Sequence, residues 1–126
     1  MAKTKVYLAT PYSYKGWFAK IIQWLRYRKV TKVSAYWMNK GYNIFSPITM
    51  THPISKFVAL KHEEWLTYDF QWIDACDELW VLCQPGWQKS DGVRQEVQYA
   101  RSSDKEVLFL KRSGRNAYSY SYNDWF

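Results

Sequence analysis

The sequence predicts an α/β fold built on a parallel sheet. Three observations carry this: short apolar runs rich in β-branched residues recur along the chain, stretches with helical spacing separate them, and proline or glycine marks the joins. Strand and helix alternate, so right-handed crossovers between neighbouring parallel strands are expected.

Lys5–Ala9 (KVYLA) reads as a short buried strand closed by Thr10-Pro11. Lys15 to about Asn39 has helical spacing. Phe18, Ile21, Ile22 and Leu25 make one apolar stripe, and Val30, Val33 and Trp37 make another. The two are out of phase around Arg26–Lys29, which predicts a break or loop there. Gly41 stops the helix in the C′ position. Tyr42–Ile48 reads as a second strand ended by Pro47, and Thr49–Ala59 as a surface loop. Lys61–Cys76 is a helix with Leu66, Phe70 and Ile73 on one side. Glu78–Cys83 (ELWVLC) is continuously apolar after its first residue, as a central parallel strand should be. Gln84–Asp91 is a loop, Gly92–Ser103 a helix and Glu106–Leu110 a fourth strand. The Tyr/Ser-rich tail 111–126 is expected to pack on a partner subunit or to remain loosely ordered. Together these elements make a Rossmann-like or flavodoxin-like three-layer sandwich with four or five strands.

Length and composition bound the rest. The 126 residues are one domain's worth, with a core over about residues 5–110 and no linker or repeat. Hydrophobic residues make up 48%, which excludes disorder. No apolar run reaches the roughly 18 residues of a membrane span, and Val6–Thr10 is too short for a signal-peptide core. Cys76 and Cys83 form neither a disulfide framework nor a metal motif, and His52 and His62 lack ligand spacing. A cytoplasmic protein with reduced thiols, no metal and no membrane partner is expected.

Charge is the most uneven feature. The net charge is +7, yet no Asp or Glu precedes Glu63 while eleven Lys and Arg do. Such asymmetry points to an anionic partner. A polynucleotide stripe and a basic rim around a phosphorylated small molecule are both compatible with it, but no nucleic-acid-binding motif is present. Arg28 and Lys32 share a helix face, and the forked guanidinium of Arg28 suits a phosphate.

In a doubly wound sheet, ligands bind beyond the carboxyl ends of the strands. That nominates Tyr7–Tyr12 and Gln84–Glu96. Ser90-Asp91-Gly92-Val93-Arg94-Gln95-Glu96 runs from a loop into a helix, whose unpaired amides form an anion site to which Ser90 adds a hydroxyl. Glu96 is expected in the first turn of that helix, where the dipole favours an ionised carboxylate that could act as a nucleophile. The plainer alternative is that Ser90 caps the helix and Glu96 merely suits its first turn. Asp69, between Trp65 and Trp72, supplies a second carboxylate, or else simply pairs with a lysine. Tyr7 alone would be an ordinary strand tyrosine. Tyr12, Trp17 and Trp87 could stack on a ring, or serve a core or an oligomer interface.

Three segments in order make the sequence recognisable: Lys5-Val6-Tyr7-Leu8-Ala9-Thr10-Pro11-Tyr12; Asp69-x-x-x-Ile73-x-x-x-Asp77-Glu78-Leu79-Trp80-Val81-Leu82; and Ser90-x-Gly92-x-x-x-Glu96-x-x-x-Ala100. Over about residues 5–110 the chain resembles the nucleoside 2-deoxyribosyltransferase-like superfamily, in particular a small subfamily of bacterial and phage genomes. That subfamily shares Phe45-Ser46-Pro47-Ile48, Thr51-His52-Pro53-Ile54 and Gly86-Trp87. The resemblance implies Glu96 as nucleophile, Asp69 as the group that binds the sugar hydroxyl or assists the base, and Tyr7 as the residue that holds the glutamate. It implies substrate contacts from Thr10, Pro11, Tyr12, Gly86, Trp87, Ser90 and Gly92. Serine at position 90, where transferases acting on free nucleosides have aspartate, implies a 5′-monophosphate. The implied activity is an N-glycosidase of 2′-deoxynucleoside 5′-monophosphates needing no cofactor, in a homodimer or higher oligomer. A base-exchanging deoxyribosyltransferase, a pocket that only senses nucleotides and a nucleic-acid binder are the alternatives.

Overall fold

The computed structural model describes residues 3–113 and 117–121. The elements are β1 (Lys5–Ala9), α1 (Ala19–Asn39), β2 (Asn43–Phe45), α2 (Pro47–Ile54), α3 (His62–Ala75), β3 (Glu78–Leu82), α4 (Asp91–Ser102), β4 (Glu106–Ser113) and β5 (Ala117–Ser121). A 3₁₀ turn at Trp87–Lys89 precedes α4. The strand order is β2-β1-β3-β4-β5, with the first four parallel and β5 antiparallel to β4. The expected α/β sandwich is therefore present, in a flavodoxin-like order.

Alternation along the strands builds two cores. Val6, Leu8, Trp80, Leu82, Leu108 and Leu110 pack under Val30, Val33 and Trp37 of α1. Tyr7, Ala9, Leu79, Val81 and Phe109 face the other way, against Ile73 of α3 and Val93, Val97 and Ala100 of α4. Tyr7 thus points into the layer that α3 and α4 share. Cys76 is buried and Cys83 half-buried, and burial pushes both thiols up to about 11.

Three expectations are corrected. First, α1 is unbroken across Arg26–Lys29. Its two apolar stripes lie on different faces of one continuous helix. Only the Val30–Val33–Trp37 stripe meets the sheet, while Phe18, Ile21 and Leu25 are exposed, together with Trp17 and Trp24. Gly41 follows the helix at φ +102° as the pattern required. Second, Pro47–Ile54 is a helix and not a loop, which shortens β2 to Asn43–Phe45. Ser46 caps α2 by accepting from Thr49 N at 3.3 Å, and Pro47 occupies the first turn, where a missing N–H costs nothing. Pro53 falls in the last turn, so only one ladder bond is lost. Third, β4 runs on to Ser113, and 117–121 add an antiparallel edge strand where a tail packed on a partner subunit or loosely ordered was expected. The remaining tail positions, 114–116 and 122–126, lie outside the described residues.

Candidate functional site

The chain leaves β1 in one direction for β2 and lies in the opposite direction for β3 and β4, so the sheet reverses between β1 and β3. Loops diverging from such a point leave a crevice above the strand ends. Here the crevice is a cavity of about 410 Å³. Thr10 and Tyr12 line it from the loop after β1, Asp69 from α3, and Ser90, Gly92 and Glu96 from α4.

At its base, two carboxyls and a phenol meet. The Tyr7 hydroxyl donates to Glu96 Oε2. Tyr7 is fully buried, and Glu96 is 6% exposed where it lines the cavity. Glu96 was expected in the first turn with its ionised form favoured; it is instead the sixth residue of α4, and burial, then the Asp69 charge, pushes its carboxyl up to about 8, although the Tyr7 hydrogen bond works against the rise. Burial pushes Asp69 up to about 7, again moderated by Tyr7. Among the described residues, Asp69 Oδ1 is buried with no hydrogen-bond partner. Burial and the two carboxyls raise the Tyr7 phenol well above its ordinary value, so it is a donor and never a base near neutrality. Two facing carboxyls of this kind lose their protons in coupled steps. The Tyr7 hydroxyl works towards the charged form of both carboxyls, so the state with Glu96 ionised and Asp69 protonated is one of the two singly protonated forms the pair shares.

Above the pair, α4 begins. Ser90 Oγ accepts from Val93 N at 3.2 Å, so this serine does cap the helix as well as line the cavity. Asp91 is the nearest acid and is paired with Arg94. Lys15 and Lys89 are exposed on the cavity rim. Across from α4, the wall is Tyr12, Ile48, Thr51 and Ser55. Among the described residues no cluster of three or more His, Cys, Asp or Glu side chains could hold a metal ion, and no helix is long and apolar enough to cross a membrane.

The model of a family described as "Domain of unknown function (DUF1937)" matches residues 4–112. The chain belongs to this family. No curated protein matches it. Every cavity residue named above lies within the span that matches DUF1937.

Of the residues singled out from sequence, this DUF1937 chain brings Tyr7, Asp69, Glu96, Thr10, Tyr12, Ser90 and Gly92 together. Pro11 is buried behind the first loop without lining the cavity. Four others are elsewhere. Arg28 is exposed and lies over the Trp24 ring, 5.5 Å from its centroid, because its helix face turns away from the strand ends. Trp87 is a core residue against Phe109. Gly86 takes φ +89°, and a Cβ there would come within 3.0 Å of Arg26 Nη2. Trp17 is fully exposed and does not line the cavity.

Arg26, two positions from Arg28, is the structural cation. Its Nη1 donates to Ser13 O at 2.9 Å and its Nη2 to Pro85 O at 3.0 Å, tying the loop after β1 to the loop after β3. Gln84 ties them again, donating to Thr10 Oγ1 at 2.7 Å and to Arg26 O at 3.2 Å. Sequence reasoning missed Arg26, Lys15, Lys89 and the His52 partner of Tyr12. A forked cation two positions from the favoured one could be chosen only with the rotation of α1 in hand.

Proposed function

We propose that this protein is an N-glycosidase of 2′-deoxynucleoside 5′-monophosphates, with Glu96 as nucleophile. The observation that carries the reading is the buried Tyr7–Glu96 hydrogen bond beside Asp69 at the base of the cavity. A carboxylate held by one donor and facing a protonatable carboxyl is the set that glycosidic cleavage needs. The start of α4, with Ser90 and the rim lysines Lys15 and Lys89, supports an anionic group at one end of the ligand. The resemblance of the three segments to the deoxyribosyltransferase-like superfamily supports the same chemistry.

In this reading, Glu96 attacks C1′ from the face opposite the base. The C1′–N bond breaks, and the base leaves with the electron pair and takes the Asp69 proton. A water then attacks C1′ of the glycosyl ester, gives a proton to Asp69 and frees both Glu96 and 2-deoxyribose 5-phosphate. Tyr7 holds Glu96 throughout and stabilises its charge. The burial of Tyr7 and Glu96 strengthens both effects.

The test is incubation with the deoxy- and ribonucleoside monophosphates, followed by chromatography for free base. Base from one or more deoxynucleotides supports the reading. Release accelerated by adding a second free base would favour the transferase instead. Steeply salt-dependent oligonucleotide binding with no base release would favour a nucleic-acid binder.

A further inference from the structure

On the second wall of the cavity, Tyr12 is hydrogen-bonded to His52, which does not itself line the cavity, and the glycosidase chemistry leaves this pair unused. Tyr12 Oη lies 2.7 Å from His52 Nδ1. The imidazole is fixed from several sides: it stacks on Tyr27 at 4.2 Å and 19°, meets the Tyr12 ring edge-on, and sits on α2, where Ser55 Oγ donates to His52 O at 2.7 Å. Tyr12 therefore has little freedom to swing: its hydroxyl is held by His52 and also interacts with the Ser55 hydroxyl, which leaves one lone pair for a group in the cavity that Tyr12 lines.

The groups facing His52 are Tyr12 from the loop after β1, Tyr27 from α1, and Lys56 just beyond α2. Burial, then the Lys56 charge, holds the imidazole below its ordinary value of 6.5, so the ring is neutral at neutral pH. A phenol donates more strongly than it accepts, which selects the Nε2–H tautomer and leaves Nδ1 to accept from Tyr12. A protonated ring reverses this. Both nitrogens then donate, Tyr12 must accept, and its own proton turns to the cavity.

We propose that Tyr12 selects the nucleobase and that His52 sets its hydrogen-bond polarity: Tyr12 accepts from the ligand while His52 is neutral and donates once His52 is protonated. This rests on the glycosidase reading for the ligand's orientation. With the sugar over Glu96 and the phosphate at α4, the base extends to the wall of Tyr12, Ile48 and Thr51. The substrate class favoured near neutral pH is then the amino-bearing bases, cytosine over uracil and adenine over hypoxanthine. An amino group donates to the accepting Tyr12 oxygen, whereas a carbonyl meets its lone pairs.

The experiment compares dCMP with dUMP and dAMP with dIMP, by kcat/KM for base release and by Kd from tryptophan fluorescence, at pH 8 and pH 5.5. Wild type should prefer the amino partner by roughly two- to tenfold more at pH 8 than at pH 5.5, the span of one neutral hydrogen bond. His52→Phe keeps a ring to stack on Tyr27 but no nitrogen, and should flatten the ratio across pH; Tyr12→Phe should flatten it as well. His52→Gln serves the same comparison if the Phe variant melts early. A wild-type ratio that does not change with pH, or a change that persists in the His52 variants, overturns the role of Tyr12 and His52. Nucleotide binding without base release from any monophosphate overturns the glycosidase reading, while the Kd ratios still test Tyr12. No binding of any nucleotide overturns both.

Discussion

The Tyr7 hydroxyl, on the central strand β1, donates to Glu96 Oε2 on α4, joining the floor of the cavity to the helix that forms one wall. Eighty-nine residues separate the two in sequence. The contact gives a buried carboxylate a charge-stabilising donor, and the proposed chemistry depends on it.

Tyr7→Phe removes that donor while keeping the buried ring. The Tyr7 hydrogen bond lowers the Glu96 carboxyl, so its loss should raise it further. Base release should fall by ten- to a hundredfold, and the acid limb of its pH profile should move to higher pH. An unchanged limb would show that the hydroxyl does not support the Glu96 charge.

Ser90 caps α4 and faces the cavity, so its two roles need separating. Ser90→Ala should cost about 1 kcal/mol of stability through the lost cap. Ser90→Asp retains a capping oxygen and should be nearly as stable as wild type, yet its charge should weaken monophosphates by tenfold or more while sparing free nucleosides. Equal effects on both ligand types would remove phosphate from the start of α4. Thermal melts and paired KM values give the answer.

Arg26 and Arg28 should behave oppositely. Arg26→Lys cannot hold Ser13 O and Pro85 O at once, so the cavity loops should loosen and nucleotide affinity should drop several-fold. Arg28→Glu, on an exposed face over Trp24, should leave monophosphate affinity within twofold. Titration of each variant with one deoxynucleotide decides between them.

Stability should fall as pH rises. Asp69 and Glu96 have ordinary values of 3.8 and 4.5 but about 7 and about 8 in the fold, so the folded chain keeps protons that the unfolded chain has released. The unfolding free energy should therefore fall as pH rises, from about pH 4 to pH 7 through Asp69 and up to about pH 8 through Glu96. Denaturant titrations across this window should show the slope in wild type and a shallower one in Glu96→Gln and Asp69→Asn. A slope of the same size in both variants would mean that other groups carry it.

Much of this was readable from the chain because continuous apolar runs such as Lys5–Ala9 and Glu78–Leu82 admit few alternatives, and because Ser90-x-Gly92-x-x-x-Glu96 announces a helix start beside a strand end. Other features were not readable, for physical reasons. The apolar stripe of Phe18, Ile21 and Leu25 looks like core, yet it lies on the outer face of α1, since periodicity fixes a face and not what covers it. Ser46-Pro47 is a helix-start signature that the nearby Pro53 obscured. Trp87 beside a glycine suggested a ligand platform, but its ring fills the space against Phe109. The Tyr12–His52 bond spans forty positions, and its two partners carry no shared pattern.

The most direct measurement is single-turnover release of free base from a 2′-deoxynucleoside 5′-monophosphate by wild type and Glu96→Gln side by side. The Gln variant keeps the size of the side chain and an acceptor for Tyr7 but has no charge. Wild type should release base and the variant should do so at least a thousandfold more slowly, with nucleotide affinity held within about tenfold. Release by Glu96→Gln at a rate near that of wild type, or no release by wild type from any deoxynucleotide, would contradict the proposed function.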